Sequence, residues 1–145
     1  MSNIWYAFAT ALLCSWSLSG CLAGSPADYH YSVEDAEGSP SSPFANDSLF
    51  TITLGSEGAT DMKISSLVVV VIQDGVSHPC LSEGEGGNCT VSQPSETDNT
   101  LWEEGETLTV SESGTDICGR TCIITFTVQG PEGSQTTGPT ILTVN

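Results

Sequence analysis

Basic residues are almost missing from this chain. Among 145 residues there are two, Lys63 and Arg120, against 18 acids, and the formal charge is −16. A surface that neutralises phosphates needs a basic stripe, so nucleic acid is excluded as a partner. The same shortage excludes docking on an anionic membrane through charge alone. Histidine is scarce too, with only His30 and His78 present. The chain contains no G-x-S-x-G, no H-E-x-x-H and no phosphate-cradling glycine loop. An anionic substrate would meet little counter-charge. These shortages predict a protein that is not an enzyme. No apolar run reaches the roughly 20 residues that span a bilayer core as a helix. No amphipathic helical period of useful length occurs either, which leaves an all-β chain.

What is plentiful is cysteine, with six in a short chain. That number points to an oxidising compartment. Cys14 lies inside the 15-residue apolar run Ile4–Leu18, which has the length and composition of a signal-peptide h-region. Small residues follow the run, and no charged side chain precedes Asp28. The n-region Met1-Ser2-Asn3 has no Lys or Arg.

The run ends in Leu18-Ser19-Gly20-Cys21. This quartet resembles the lipobox of prokaryotic lipoproteins. The resemblance implies cleavage before Cys21, lipid on that cysteine, and a chain held at the membrane outside the cytoplasm. Cleavage near Ala23-Gly24, or retention of residues 1–20 as a helix, are the alternatives. Residues 21–47 are rich in Ser, Pro, Gly and Ala, and carry five acids and no base. They read as a lipid-anchored flexible linker that lifts a domain off the membrane. Tyr29-His30-Tyr31 reads as an incidental cluster within it.

From Ser48 onward the texture is that of strands. Phe50, Ile52 and Leu54 alternate with threonines, as do Leu108 and Val110, and Ile124, Phe126 and Val128. Ile64 to Ile72 is a nearly continuous β-branched run suited to a central strand, and Asp74-Gly75 after it marks a turn. About seven short strands over residues 48–145 predict an immunoglobulin-like β-sandwich, with a small β-barrel as the alternative. Four cysteines remain in this region: Cys80, Cys89, Cys118 and Cys122. They allow three connectivities. The local pairing Cys80–Cys89 with Cys118–Cys122 is preferred, because each bridge would staple a loop base. Zinc favours close C-x2-C pairs, whereas these cysteines are separated by 8, 28 and 3 residues. A thioredoxin-type redox pair likewise needs C-x-x-C at a helix start.

Four segments carry a second resemblance: Asp61-Met-Lys-Ile-Ser-Ser-Leu-Val-Val-Val-Val-Ile, Trp102-Glu-Glu-Gly-Glu-Thr-Leu-Thr-Val, Ile123-Ile-Thr-Phe-Thr-Val and Thr140-Ile-Leu-Thr-Val. In this order they resemble the extracellular β-sandwich of archaeal type IV pilin-like and archaellin-like proteins. Those proteins assemble through a long apolar N-terminal helix behind a basic cleavage site; here a lipobox stands in that place.

Two kinds of site remain. Asn46-Asp47-Ser48 and Asn88-Cys89-Thr90 are glycosylation sequons. Trp102, with Glu103, Glu104 and Glu106, is a candidate ligand-binding group: a sugar platform beside acids. The alternative is a Trp that plugs one end of the sandwich while its N–H reaches a carbonyl. Calcium is the one metal the acidic loops bring into question, although no D-x-D-x-D-G loop is present. No cofactor is expected otherwise. The sequence thus predicts a cell-surface lipoprotein displaying an acidic, disulfide-stapled β-sandwich. Its expected partners are the lipid membrane, through the anchor, and cell-envelope proteins or surface glycans, met in structural or adhesive contacts. A calcium- or carbohydrate-binding module, or a pilin-like filament subunit with its N-terminal helix retained, are the alternative functions.

Overall fold

A computed structural model describes residues 27–82, 85–94 and 100–145. The expected signal peptide, residues 1–20, and Cys21 lie outside the described residues. Eleven strands follow one another: β1 Asp28–Asp35, β2 Ser48–Gly58, β3 Asp61–Lys63, β4 Val68–Gln73, β5 Val76–Ser82, β6 Cys89–Ser92, β7 Leu101–Glu103, β8 Thr107–Glu112, β9 Cys122–Gln129, β10 Gln135–Thr137 and β11 Ile141–Val144. A single turn of 3-10 helix, Ile64–Ser66, precedes β4. The all-β, sandwich-like fold is the expected one. The strand count is higher than seven because short strands such as β3, β7 and β10 are too brief to show a period.

Nine strands form one curled sheet in the order β10-β1-β2-β8-β6-β5-β4-β9-β11, and β3 pairs with β7 beside it. The alternation read from the sequence sets the faces. Phe50, Ile52 and Leu54 of β2, Leu108 and Val110 of β8, Val69 and Val71 of β4, and Ile124, Phe126 and Val128 of β9 all point inward and are buried. The intervening threonines face out. Phe50 and Phe126 stand far apart in the sheet order, yet their rings stack with centroids 4.6 Å apart. The two halves of the sheet therefore face each other across one core. The β4–β5 hairpin turns at Asp74-Gly75 as expected, with φ of 49° and 80°. Positive φ at both central residues matches the twist of the strands they join.

One expectation is overturned. The flexible linker placed over 21–47 contains strand β1, and Tyr29 and Tyr31 are core residues at 7% and 8% exposure. The tyrosines of Tyr29-His30-Tyr31 are therefore structural, and the folded domain includes β1, ahead of Ser48. β1 pairs antiparallel with β2 and parallel with β10. Where it meets β2 the register slips between Tyr29 and Tyr31, opposite Gly58 and Leu54. Gly58 has φ +83°, and a Cβ there would lie 2.3 Å from the Asp28 carbonyl oxygen. Only glycine fits this bulge.

The C-terminal residues close the sheet. The chain runs along β1 as β10, crosses at 138–140, and runs along β9 as β11. The crossing is fixed by the Tyr31 hydroxyl, which donates to the Pro139 carbonyl at 3.0 Å. Burial raises the Tyr31 phenol above its ordinary pKa, so it stays a donor. Gly138 lies so close that a Cβ would sit 2.6 Å from the Tyr31 ring. Farther along, the Asn145 amide N–H donates to Asp35 Oδ2 at 3.0 Å.

Truncation separates the two domain boundaries. Removing a buried aromatic costs about 3–5 kcal/mol, and a domain of this size has only about 5–15 kcal/mol in total. A fragment 48–145, which lacks Tyr29, Tyr31 and the strand pairing of β1, is expected not to fold. Fragment 27–145 is expected to unfold cooperatively in urea, with intact near-UV circular dichroism. Equal stability of the two would restore the linker reading.

Candidate functional site

The four cysteines form the expected bridges. Cys80–Cys89 has Cα atoms 4.2 Å apart, and Cys118–Cys122 has them 5.9 Å apart. The first joins adjacent positions of the parallel pair β5 and β6. The second closes the loop that enters β9. Both act as structural links, and with all four sulfurs paired none is left as a thiolate for zinc.

Trp102 takes the plug geometry and not the platform geometry. It is fully buried at 0% exposure, opposite Met62 in the β3–β7 pair. Its indole N–H donates to the Glu106 carbonyl at 2.8 Å. No ring face is left for a sugar, which corrects its assignment as a ligand residue. Glu106 is committed as well. One carboxylate oxygen accepts from the Glu103 amide at 3.0 Å, and the other accepts from Gln93 Nε2 at 2.8 Å. This carboxylate braces the Glu103–Glu106 turn. Gly105 supplies the positive φ, 76°, that the turn requires. Glu103 and Glu104 are exposed on the same turn. Among the described residues, no three or more His, Cys, Asp or Glu side chains come together as a metal site. The calcium reading therefore has no ligand set there.

The sequons lie open. Asn46 and Asn88 are both exposed in loops before strands. His30 faces out beside Glu57, with Nδ1 to carboxylate 3.8 Å and both side chains solvated, a pairing worth little. His78 is turned inward at 7% exposure.

The residue with the most unusual surroundings is an acid that the sequence analysis did not single out. Glu112 ends β8 and is 3% exposed. Its Oε1 accepts from the amides of Ile117 and Cys118 at 2.8 and 2.7 Å. Its Oε2 is buried without a hydrogen-bonding partner. The carboxylate thus stands where the backbone of loop 113–121 would otherwise carry two unsatisfied donors. Loss of solvation pushes its pKa above the ordinary value, aided by Asp116 and Asp47, while the two amide bonds pull it down. The signal was present in the sequence, since Glu112 is in phase with Leu108 and Val110.

A shallow apolar groove of about 460 Å³ lies beside the Cys80 bridge, lined by Ile64, Leu67, Val68, Pro79 and Leu81, with Glu85 and Thr100 at its rim. Among the described residues that line it, Glu85 is the only charged one. It offers contact surface and no convergent set of reacting groups.

Glu112 gives a pH-dependent prediction. Its folded-state pKa is raised above the ordinary carboxylate value of the unfolded chain. Between the two values the folded state binds more protons than the unfolded state, so stability from this group falls as pH rises through that window. Glu112→Gln keeps an acceptor for both amides and removes the charge. Its stability relative to wild type is expected to improve as pH rises from 4 and then to level off. Glu112→Ala strands both donors and is expected to cost about 2–5 kcal/mol at every pH. Urea denaturation of the three proteins from pH 4 to pH 8 measures both effects; parallel wild-type and Gln curves would refute the buried-carboxylate assignment.

No family model, curated protein or solved structure matches the chain.

Proposed function

We propose that this protein is a non-enzymatic lipoprotein, anchored through Cys21, that displays its acidic β domain for structural or adhesive contacts in the cell envelope. Two disulfides in one small domain carry the reading, because such bridges persist in oxidising, extracytoplasmic surroundings. The fate of the polar groups supports display over catalysis. Trp102, Glu106 and Glu112 commit their hydrogen bonds to backbone or to other structural side chains. The partners that fit are the membrane itself, through the lipid, and neighbouring envelope proteins or surface glycans. Asn46 and Asn88 are the positions open to glycosylation.

The position of β1 changes what the anchor does. Six residues, 22–27, separate Cys21 from Asp28. The seven steps from Cys21 to Asp28 span at most about 25 Å when fully extended. The domain would ride close to the membrane, and its partners would be found at that height.

Intact mass of the protein extracted from its native membrane tests the anchor. The expected mass begins at Cys21, carries added lipid, and is lower by the four hydrogens of two disulfides. Cys21→Ala is expected to move the protein from the membrane to the soluble fraction. A mass retaining residues 1–20 would overturn the reading in favour of a subunit that keeps its N-terminal segment, as pilin-like proteins do.

A further inference from the structure

The acids of this molecule are unevenly placed, and the strands of one broad face carry none; among the described residues, Asp74 and Glu85 lie only at its margins. Strands β5, β4, β9 and β11 are neighbours in the sheet. Their outward side chains include Leu81, Val68, Val70, Ile72, Ile123 and Ile141. The remaining outward positions on these strands are Ser, Pro, Thr and Gln. A chain of net charge −16 thus presents four adjacent strands without a single charged side chain pointing out. Several of the apolar residues are well exposed: Ile123 at 68%, Ile141 at 63%, Val68 at 47% and Leu81 at 39%. Ile141 stands opposite Thr125, two residues from Ile123, so the two isoleucines are diagonal neighbours across β9 and β11. At the other margin, Val68 and Leu81 lead into the apolar groove.

We infer that this face is the contact between two copies of the chain. The argument is electrostatic. An isologous contact sets a surface against itself, so every charge on that surface meets its own sign. For a molecule this acidic, only an uncharged face can serve. A basic partner would be drawn to the acids elsewhere. An anionic membrane surface is held by lysines, arginines and interfacial aromatics, and this face has none. Flat β-branched side chains on twisted strands pack sheet against sheet about 10 Å apart, and a continuous exposed apolar patch marks an interaction site. The contact rests on fold and charge distribution, and not on the anchor at Cys21.

The full chain tests this in two ways. With p-benzoylphenylalanine replacing Ile141, irradiation of the protein in its membrane and in detergent is expected to yield a species of twice the mass. Its crosslinked peptides are expected to come from β4, β9 or β11 of a second copy. Crosslinks to lipid, to a different protein or to residues 1–20 of the same chain, or none at all, would overturn the proposal. In sedimentation experiments, self-association is expected to strengthen with added salt, because screening relieves repulsion between the acidic bodies. Ile123→Asp places like charges in the contact and is expected to weaken association by at least about tenfold. Ser32→Asp, outward on β1, is expected to leave it unchanged. Near-UV circular dichroism checks that both variants fold. Equal association of wild type and Ile123→Asp would also overturn the proposal.

Discussion

Closure of the nine-stranded sheet is the constraint on which the rest depends. An open sheet of this size would leave two bare edges and an uncovered apolar face. Here the edges are brought together by one short stretch of chain, which leaves β1 after Thr137 and joins β9 at Ile141. The crossing is possible because Gly138 lets the backbone lie against the Tyr31 ring, whose hydroxyl then holds Pro139. Closure presses Phe50 against Phe126 and dries the core. It also makes β1 indispensable, since the C-terminal residues need that strand as their first support.

Closure sorts the charges as well. With the interior apolar and the strand exteriors dominated by Thr, Ser and Val, the acids are left mainly to loops and strand ends. Glu103, Glu104 and Glu106 share one turn; Asp35, Asp47, Glu112 and Asp116 lie at strand ends or in loops elsewhere. Repulsion is spread over the ends and is screened by salt. The flank formed by β5, β4, β9 and β11 stays neutral, which is why a chain so acidic retains a face able to make close apolar contact. Distribution matters here more than net charge.

Much of this was legible in the sequence. The threonine alternation in β2, β8 and β9 reported both strand and face, and Asp74-Gly75 reported the hairpin. The local cysteine pairing followed from loop economy. β1 was missed because Ser, Pro and acids across 21–47 outweighed a short signal: Tyr29, Tyr31 and Val33 alternate with polar residues just as the later strands do. Its long-range partners, β2 and β10, are invisible from spacing alone. Trp102 was ambiguous because sequence shows the side chain and not the Glu106 carbonyl that satisfies it. Glu112 was missed because composition makes an acid a surface residue, while register makes this one a core residue.

Glu112 shows what the end of such a sheet requires. Loop 113–121 must turn back over the open mouth of the core, and two of its amides, at Ile117 and Cys118, face inward as it does so. An apolar residue in place of Glu112 would bury those donors without acceptors. A carboxylate satisfies both with one oxygen, at the cost of desolvating a charge. The same loop is tied by Cys118–Cys122 immediately before β9. The bridge restrains the chain before folding, and the carboxylate fixes the backbone afterwards. A hydrogen-bonded charge and a covalent link thus act on adjacent residues. Together they hold the cap over the mouth of a core that the seam between β1 and β11 has closed along its side.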